Sequence, residues 1–204
     1  IFNAVSFEKF KGYIRERSIE PGKKISIAMV GRLAPQKNYE DMVNALSILP
    51  DDIIQKIHVS IAGEGSPIYK DKLEQLICEK YLENSITLCG NQQNIPEFLF
   101  KANIFLMTSA WEGLPIALAE ASISGLPCIV TDVGGCSEII ETSKNGIVVP
   151  AHNPRKISEA LTRFVQHPEI LQDYSANAIN NSHLYSISKA ADLHLQLYSD
   201  AINE

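Results

Sequence analysis

Residues 104–123 have the sequence IFLMTSAWEGLPIALAEASI, and this stretch decides the fold. Its first part, Ile104 to Ser109, is apolar or small throughout, which predicts a buried strand. Pro115 suits the first position of a helix, because its fixed φ matches the helix and its missing N–H would be unpaired there anyway. We therefore expect a helix over 115–124, with Glu112 in the loop before it and Glu120 between one and two turns inside it.

Glu112 and Glu120 flank the start of this predicted helix. At a rise of ~1.5 Å per residue, the eight positions between them span roughly 12 Å. The backbone amides of Leu114 and Ile116 lie between the two carboxylates, and amides at a helix N-terminus attract anions. A ribose, a diphosphate and a sugar in line would fit that layout. Two solvated surface glutamates are the alternative, although Glu120 stands in an apolar run where a bare carboxylate needs a partner.

Strands and helices alternate along the rest of the chain. This pattern predicts βαβ units and a doubly wound, Rossmann-like α/β fold, with a parallel sheet of about six strands and helices on both faces. The predicted strands are 25–30, 57–62, 85–89, 104–107, 127–131 and 146–149. The predicted helices are 39–49, 71–81, 95–101, 115–124, 136–141, 154–166, 168–182 and 186–202. We divide the chain into a lead-in or linker over 1–24, a Rossmann-like domain over 25–185 and a C-terminal helix over 186–204.

Ligands of such folds bind beyond the carboxyl ends of the strands. After the first strand, Gly31 permits a tight exit, and Arg32 and Lys37 supply two cations suited to phosphate oxygens. A solvated basic turn is the alternative for this loop. The glycines of Gly63-Glu64-Gly65 are best explained by a tight turn, and those of Gly134-Gly135 by a flexible helix entry. No P-loop and no G-x-G-x-x-G fingerprint is present.

Composition excludes several classes of function. The chain has 204 residues and a net charge of −6, which disfavours a nucleic-acid partner. No apolar run approaches the ~20 residues that cross a bilayer. The four cysteines and five histidines show no zinc or catalytic spacing, and no acidic metal cluster such as D-x-D occurs, so we expect no metal and no cofactor. Reduced structural thiols indicate a cytoplasmic protein.

An ordered set of short motifs resembles the retaining glycosyltransferases of family 4, within the GT-B superfamily. The set covers about 25–200 in order and spacing. Its members are Gly31-Arg32-Leu33 with Lys37, Gly63-Glu64-Gly65, Cys89-Gly90, Thr108-Ser109, Glu112-Gly113-Leu114-Pro115 with Glu120, Gly125-Leu126-Pro127, Gly134-Gly135 with Glu138, and Asn145-Gly146. The opening Ile1-Phe2-Asn3-Ala4-Val5 resembles the interdomain linker of that family.

The resemblance implies a role for each site residue. Arg32 and Lys37 would hold the donor diphosphate, and Glu112 would accept hydrogen bonds from the transferred sugar, so these three form the predicted catalytic set. Glu120 would hold the ribose hydroxyls, and the loop from Asn91 to Ile95 would face the base. The predicted donor-binding residues are Gly31, Asn91, Gln92, Ile95, Gly113, Leu114, Pro115, Ile116 and Glu120.

The resemblance also implies partners. The chain resembles only the C-terminal, donor-binding lobe, so an N-terminal lobe would complete the cleft and bring a glycan or lipid-linked acceptor. The donor would be a UDP- or GDP-sugar, in bacterial surface polysaccharide synthesis. We expect the C-terminal helix to pack toward the missing lobe, and any contact with the inner face of the membrane to be made through that lobe.

The sequence departs from the family pattern at two positions, and it leaves two alternative functions open. Asn38 stands where the family often has Gly. Asn103 stands where the family often has Asp, and we expect this second change to alter helix–strand packing. A nucleotide-sugar-binding module without catalysis is one alternative function, although it predicts loss of Arg32 or Glu112. A glycogen-synthase-like or sucrose-synthase-like enzyme is the other, since it shares the paired glutamates.

Overall fold

A computed structural model describes residues 5–20 and 22–203, so the predictions that fall on 1–4, Pro21 and 204 lie outside the described residues. The strands are β1 Ile25–Val30, β2 Ile57–Ala62, β3 Ile86–Leu88, β4 Ile104–Met107, β5 Cys128–Thr131 and β6 Gly146–Val149. The helices are α1 Tyr39–Ser47, α2 Asp51–Ile54, α3 Pro67–Glu79, α4 Ile95–Phe100, α5 Ile116–Ile123, α6 Cys136–Ser143, α7 Pro154–Gln166, α8 Pro168–Asn181 and α9 Ile187–Asn203. Short 3₁₀ turns cover Phe7–Phe10, Pro35–Lys37 and Ser182–Tyr185.

The predicted doubly wound α/β fold is confirmed. The six strands are all parallel, in the order β3-β2-β1-β4-β5-β6. The chain first builds outward from β1 to β3, then returns to pair β4 with β1, where Ile27 faces Ile104, and builds outward in the other direction. The point where the order reverses therefore lies between the carboxyl ends of β1 and β4, where ligands of such sheets bind.

Successive residues of β1, β4 and β5 enter two different cores, because side chains alternate between the faces of a sheet. Ile27 and Ile104 pack with α1, α3 and α7 on one face. Ala28 and Phe105 pack with α4, α5 and α6 on the other. The lead-in adds Phe10 to this second core, so part of it belongs to the packed domain.

Two helix boundaries and one additional helix correct the sequence expectations. α3 begins at Pro67, four residues before the predicted start, because the hydroxyl of Ser66 caps it by accepting a hydrogen bond from the amide of Tyr69. α2 was not predicted, since four residues carry too little periodicity. Pro115 is the N-cap of α5, with extended backbone at ψ 108°, and Ile116 is its first helical residue.

The two departures from the family have structural explanations. Asn38 lies in the left-handed region at φ 48°, which glycine adopts readily and asparagine tolerates. The side-chain oxygen of Asn103 accepts a hydrogen bond from the amide of Ser26 at 2.9 Å, and its amide nitrogen donates to the carbonyl of Ser18 at 3.0 Å. A carboxylate could make only the first of these bonds, so Asn103 adds a tie between β1 and the lead-in.

Two glycines after β2 allow the loops after β1 and β2 to touch. A Cβ at Gly63 would lie 1.9 Å from the carbonyl oxygen of Gly31, and one at Gly65 would lie 1.9 Å from that of Leu33. The amide of Leu33 donates to the carbonyl of Glu64 across this contact, at 2.9 Å. The glycines of Gly63-Glu64-Gly65, which the sequence explains by a tight turn, thus allow a close approach between the backbones of two loops.

We predict that Gly63→Ala lowers the free energy of unfolding by about 3 kcal/mol or more, because the atom it would meet is backbone and cannot move aside. Gly113→Ala is the control, since a Cβ there would meet nothing within 4 Å. Urea denaturation should show the control within about 0.5 kcal/mol of the parent chain. Equal stability of the two variants would contradict the packing account.

Candidate functional site

Lys37 and Glu112 meet at the point where the strand order reverses. Lys37 ends the turn after β1, and its Nζ donates to Oε1 of Glu112 at 2.5 Å. The hydroxyl of Ser109, at the end of β4, donates to the same oxygen at 2.7 Å. The side chains are only 17% and 7% exposed, so this ion pair is largely shielded from water. Lys37 thus contacts the predicted sugar-binding carboxylate directly, whereas the sequence predicted only a diphosphate contact.

The Lys37–Glu112 pair leaves one carboxylate oxygen open. Within the described part of the chain, both hydrogen bonds to this carboxylate go to Oε1. Oε2 can therefore accept a hydrogen bond from a ligand hydroxyl. Since Lys37 and Ser109 fix the carboxylate group, Oε2 is already oriented before a ligand arrives.

The backbone around Lys37 is fixed by two buried neighbours, Tyr39 and Thr108, that were not predicted as site residues. Tyr39 donates its hydroxyl proton to the carbonyl of Gly31 at 2.9 Å. The hydroxyl of Thr108 contacts the carbonyls of Lys37 and Asn38 at 3.1 and 3.0 Å. A Cβ at Gly31 would lie 2.7 Å from the Lys37 side chain, so glycine leaves room for that chain to reach Glu112. Thr108 belonged to the recognised motifs, but no sequence signal marked Tyr39.

The start of α5 is held from the other side by the loop after β5. The amide of Gly135 donates to the carbonyl of Gly113 at 2.8 Å. A Cβ at Gly134 would lie 2.1 Å from the carbonyl oxygen of Glu112. Close approach, and not the predicted flexibility, accounts for these two glycines. The first turn of α5 therefore has a fixed position. Its first residue, Ile116, is 53% exposed.

Glu120 lies half-buried on the second turn of α5, as predicted. Within the described residues, no side chain donates a hydrogen bond to its carboxylate. Burial raises the pKa of Glu120, and the positive charge of Lys9 opposes that rise in part. A desolvated carboxylate without a hydrogen-bond donor is costly, so its position favours a ligand that supplies hydroxyl donors.

The other predicted residues lie around this centre. Arg32 is exposed at the carboxyl end of β1, and the described residues offer its guanidinium no partner. In the loop after β3, Gln92 donates its side-chain amide to the carbonyl of Cys89 at 2.7 Å, while Asn91 stays exposed and Ile95 begins α4. The structure brings the predicted residues to one edge of the sheet.

A cavity of about 410 Å³ lies at the same edge, between the loops after β1, β2 and β3. Leu33, Gly63, Glu64, Leu88 and Gly90 are among its lining residues. Sequence reasoning did not name Glu64 as a site residue, because the lone G-x-G motif carries little information. A larger hollow of about 490 Å³ is lined by Ile48 after α1 and by α7, and lies away from the strand ends.

Neither a metal-binding cluster nor a membrane-spanning helix is found among the described residues. Over residues 5–20 and 22–203, no three His, Cys, Asp or Glu side chains are grouped so that they could hold a metal ion. In the same ranges, no helix has both the length and the apolar composition that spanning a bilayer requires.

A six-stranded parallel sheet with polar loops at its reversal point defines a Rossmann-like ligand-binding domain. The chain belongs to the family described as Glycosyl transferases group 1, whose model matches residues 11–181. This match confirms the resemblance to a GT-B glycosyltransferase domain.

Named relatives agree with this family, and solved structures agree with the fold. The chain is 29% identical to the UDP-Gal:alpha-D-GlcNAc-diphosphoundecaprenol alpha-1,3-galactosyltransferase of Escherichia coli, over 98% of this chain and 53% of that protein. It resembles Anabaena HepE in complex with UDP, with a TM-score of 0.83 and 18% identity over 98% of this chain and 57% of that one. It also matches the C-terminal domain of a Francisella tularensis group 1 glycosyl transferase, with a TM-score of 0.71 and 20% identity over 91% of this chain and 96% of that one. The chain thus spans about half the length of the E. coli relative.

We predict that Glu120→Gln stabilises the fold at neutral pH. Because burial raises the folded-state pKa, the carboxylate destabilises the fold once the pH exceeds the ordinary glutamate pKa of about 4.3, and this cost reaches its full size above the folded-state value. Thermal unfolding should therefore show a higher Tm for Glu120→Gln at pH 7, and no gain at pH values below about 4.

The control for this prediction is Glu141→Gln, at an exposed position of α6. Its Tm should match that of the parent chain at pH 7. A loss of stability in Glu120→Gln at pH 7 would show that the carboxylate has a stabilising partner.

Proposed function

We propose that this chain is the donor-binding lobe of a retaining glycosyltransferase, which moves a sugar from a UDP- or GDP-sugar to a glycan or lipid-linked acceptor. One observation carries the proposal: two carboxylates with open oxygens, Glu112 and Glu120, flank the fixed first turn of α5. Amides of that turn attract a diphosphate, and the carboxylates accept hydrogen bonds from the sugar and the ribose on either side of it.

The relatives support the class of substrate. The name of the E. coli relative specifies a UDP-sugar and a diphosphoundecaprenol-linked acceptor, and a Staphylococcus aureus relative, 27% identical over 76% of this chain, is a poly(ribitol-phosphate) alpha-N-acetylglucosaminyltransferase. We infer a role in bacterial surface polysaccharide synthesis at the cytoplasmic side of the membrane. A second lobe would supply the acceptor site.

The chemistry follows from charge placement. As the bond between the anomeric carbon and the diphosphate breaks, negative charge develops on the leaving group. In this proposal Arg32, Lys37 and the amides of Gly113 and Ile116 stabilise that charge. We expect the carboxylate of Glu112 to orient the sugar through Oε2 and not to act as a nucleophile.

Lys37 has a double role in this proposal. In the structure Lys37 neutralises Glu112, and with a donor bound it would lie between that carboxylate and the diphosphate. The two negative groups would otherwise repel each other within the same pocket. Lys37 therefore allows a carboxylate for the sugar and an anionic leaving group to stand side by side.

We predict that two glutamate variants separate the subsites. Glu120→Gln should weaken UDP and UDP-glucose (or the GDP pair) equally, because both ligands carry the ribose. Glu112→Gln should weaken only the nucleotide sugar, and leave UDP unchanged or tighter, because Lys37 is then free to meet the diphosphate. Each lost hydrogen bond to a charged group corresponds to about 1.5–3 kcal/mol of binding.

Trp111 supplies a convenient measurement. It is the only tryptophan of the sequence, adjoins Glu112 and is 58% exposed, so its fluorescence can follow titrations that calorimetry then quantifies. Glu141→Gln, at its exposed position on α6, is the matched control. Absence of binding of UDP, GDP and their sugars to the parent chain would refute the proposed function. Equal loss of UDP and nucleotide sugar in Glu112→Gln would refute the division between the glutamates.

A further inference from the structure

A buried guanidinium ties the lead-in to two helices of the domain. Arg17 is 1% exposed. Its Nη2 donates to the carbonyl of Ser124 at 2.9 Å and to that of Leu99 at 3.4 Å, and its Nη1 donates to the carbonyl of Phe100 at 3.1 Å. Leu99 and Phe100 are the last two residues of α4, and Ser124 is the C-cap of α5. One side chain therefore joins the carboxyl ends of both helices.

The chemistry of these carbonyls suits an arginine. The last carbonyls of a helix lack intrahelical partners and carry partial negative charge, so a cation is stabilised there. The planar fork of arginine presents several donors in fixed directions, which allows it to serve two helix ends at once. Among the described residues, carbonyls alone accept from this guanidinium.

Neighbouring contacts hold Arg17 itself in place. Its amide donates to the hydroxyl of Ser175 on α8 at 2.8 Å, and that hydroxyl donates to the carbonyl of Gly125 at 2.7 Å. The guanidinium of Arg17 lies 5.7 Å from the ring centroid of Phe100, and that of Arg15 lies 5.2 Å from it. Burial, with the nearby charge of Arg15, lowers the pKa of Arg17 to about 9. Burying the guanidinium of Arg17 costs free energy, which indicates that the position of this side chain is important for the structure.

The opposite ends of α4 and α5 face the donor site. α4 begins at Ile95, in the loop assigned to the base, and α5 begins at Ile116, in the turn assigned to the diphosphate. The helices have six and eight residues, and so extend only about 9 and 12 Å. Leu99 on α4 and Leu118 on α5 pack in the same core. Because both helices are short, we expect a shift at one end of either helix to displace its other end as well.

We propose that Arg17 is a positioning residue for the donor site, because it fixes the carboxyl ends of α4 and α5 and thereby the spacing of their opposite ends. This inference rests on the proposed function for the identity of the ligand. It adds that a residue of the lead-in, outside the nucleotide-binding edge, controls the fit between the base and diphosphate subsites. A purely stabilising Arg17 would leave that spacing unchanged in the folded molecules.

The test compares Arg17→Met and Arg17→Lys with Leu73→Ala, a buried substitution on the opposite face of the sheet. All measurements are made at a temperature where each variant is folded by circular dichroism. Hydrogen exchange is followed at the amides of Phe98 and Ala119, which donate to Asn94 and Pro115 in the first turns of α4 and α5. UDP and GDP affinities are measured by calorimetry.

We expect Arg17→Met to accelerate exchange at both amides well beyond Leu73→Ala, and to weaken nucleotide binding by about tenfold. Arg17→Lys, which retains a cation but loses the fork, should fall between Arg17→Met and the parent chain, and it replaces Arg17→Met if that variant does not fold. Exchange and affinity no more altered than in Leu73→Ala would overturn the inference. Failure of the parent chain to bind either nucleotide would refute the proposed function, while the exchange comparison would still decide whether Arg17 fixes the two helices.

Discussion

The pairing of β4 with β1 is the constraint on which the rest of this structure depends. It brings the loops after two strands, 75 residues apart in sequence, to one point at the edge of the sheet. Lys37 and Glu112 meet there, and the start of α5 lies beside them. Without the reversal of strand order, the cation and the carboxylate would stand at separate places, and no cleft would lie between the diverging loops.

The buried charges of the site lower the stability of the fold. A largely buried ion pair repays its desolvation only with good geometry, so Lys37 and Glu112 contribute more to the arrangement of charge than to folding. Glu120 is desolvated without a donor from the described residues, and burial raises its pKa. The rigid surroundings offset these costs: Gly63 and Gly134 let neighbouring loops touch, and the hydroxyls of Tyr39 and Thr108 fix backbone carbonyls.

Sequence pattern predicted most of the fold, because strands alternate with helices along the chain and several of the strands are continuous apolar runs. The parallel sheet, its six strands and the helices on both faces followed from that pattern. The start of α3 did not, since the cap made by Ser66 outweighed the weak apolar periodicity before Asp71. Pro115 was placed one position too far into α5, because proline is equally at home just before a helix.

Part of the site could also be predicted from the sequence. Arg32, Lys37, Glu112 and Glu120 were predicted as a group, and the structure brings them to the same edge of the sheet. The ion pair between Lys37 and Glu112 was not predicted, because a contact between distant loops depends on strand order. The same reason hid Arg17, whose partners are the ends of two helices more than 80 positions later in the sequence.

We propose that a nucleotide sugar binds where the strand order reverses, between the carboxyl ends of β1 and β4. Mapping backbone amide shifts by NMR during titration of the chain with UDP and GDP tests it most directly. We expect the largest shifts at residues 31–37, 90–95 and 113–120, which surround Lys37 and Glu112. Shifts confined to the hollow formed by Ile48 and α7, or spread evenly over the surface, would contradict the account.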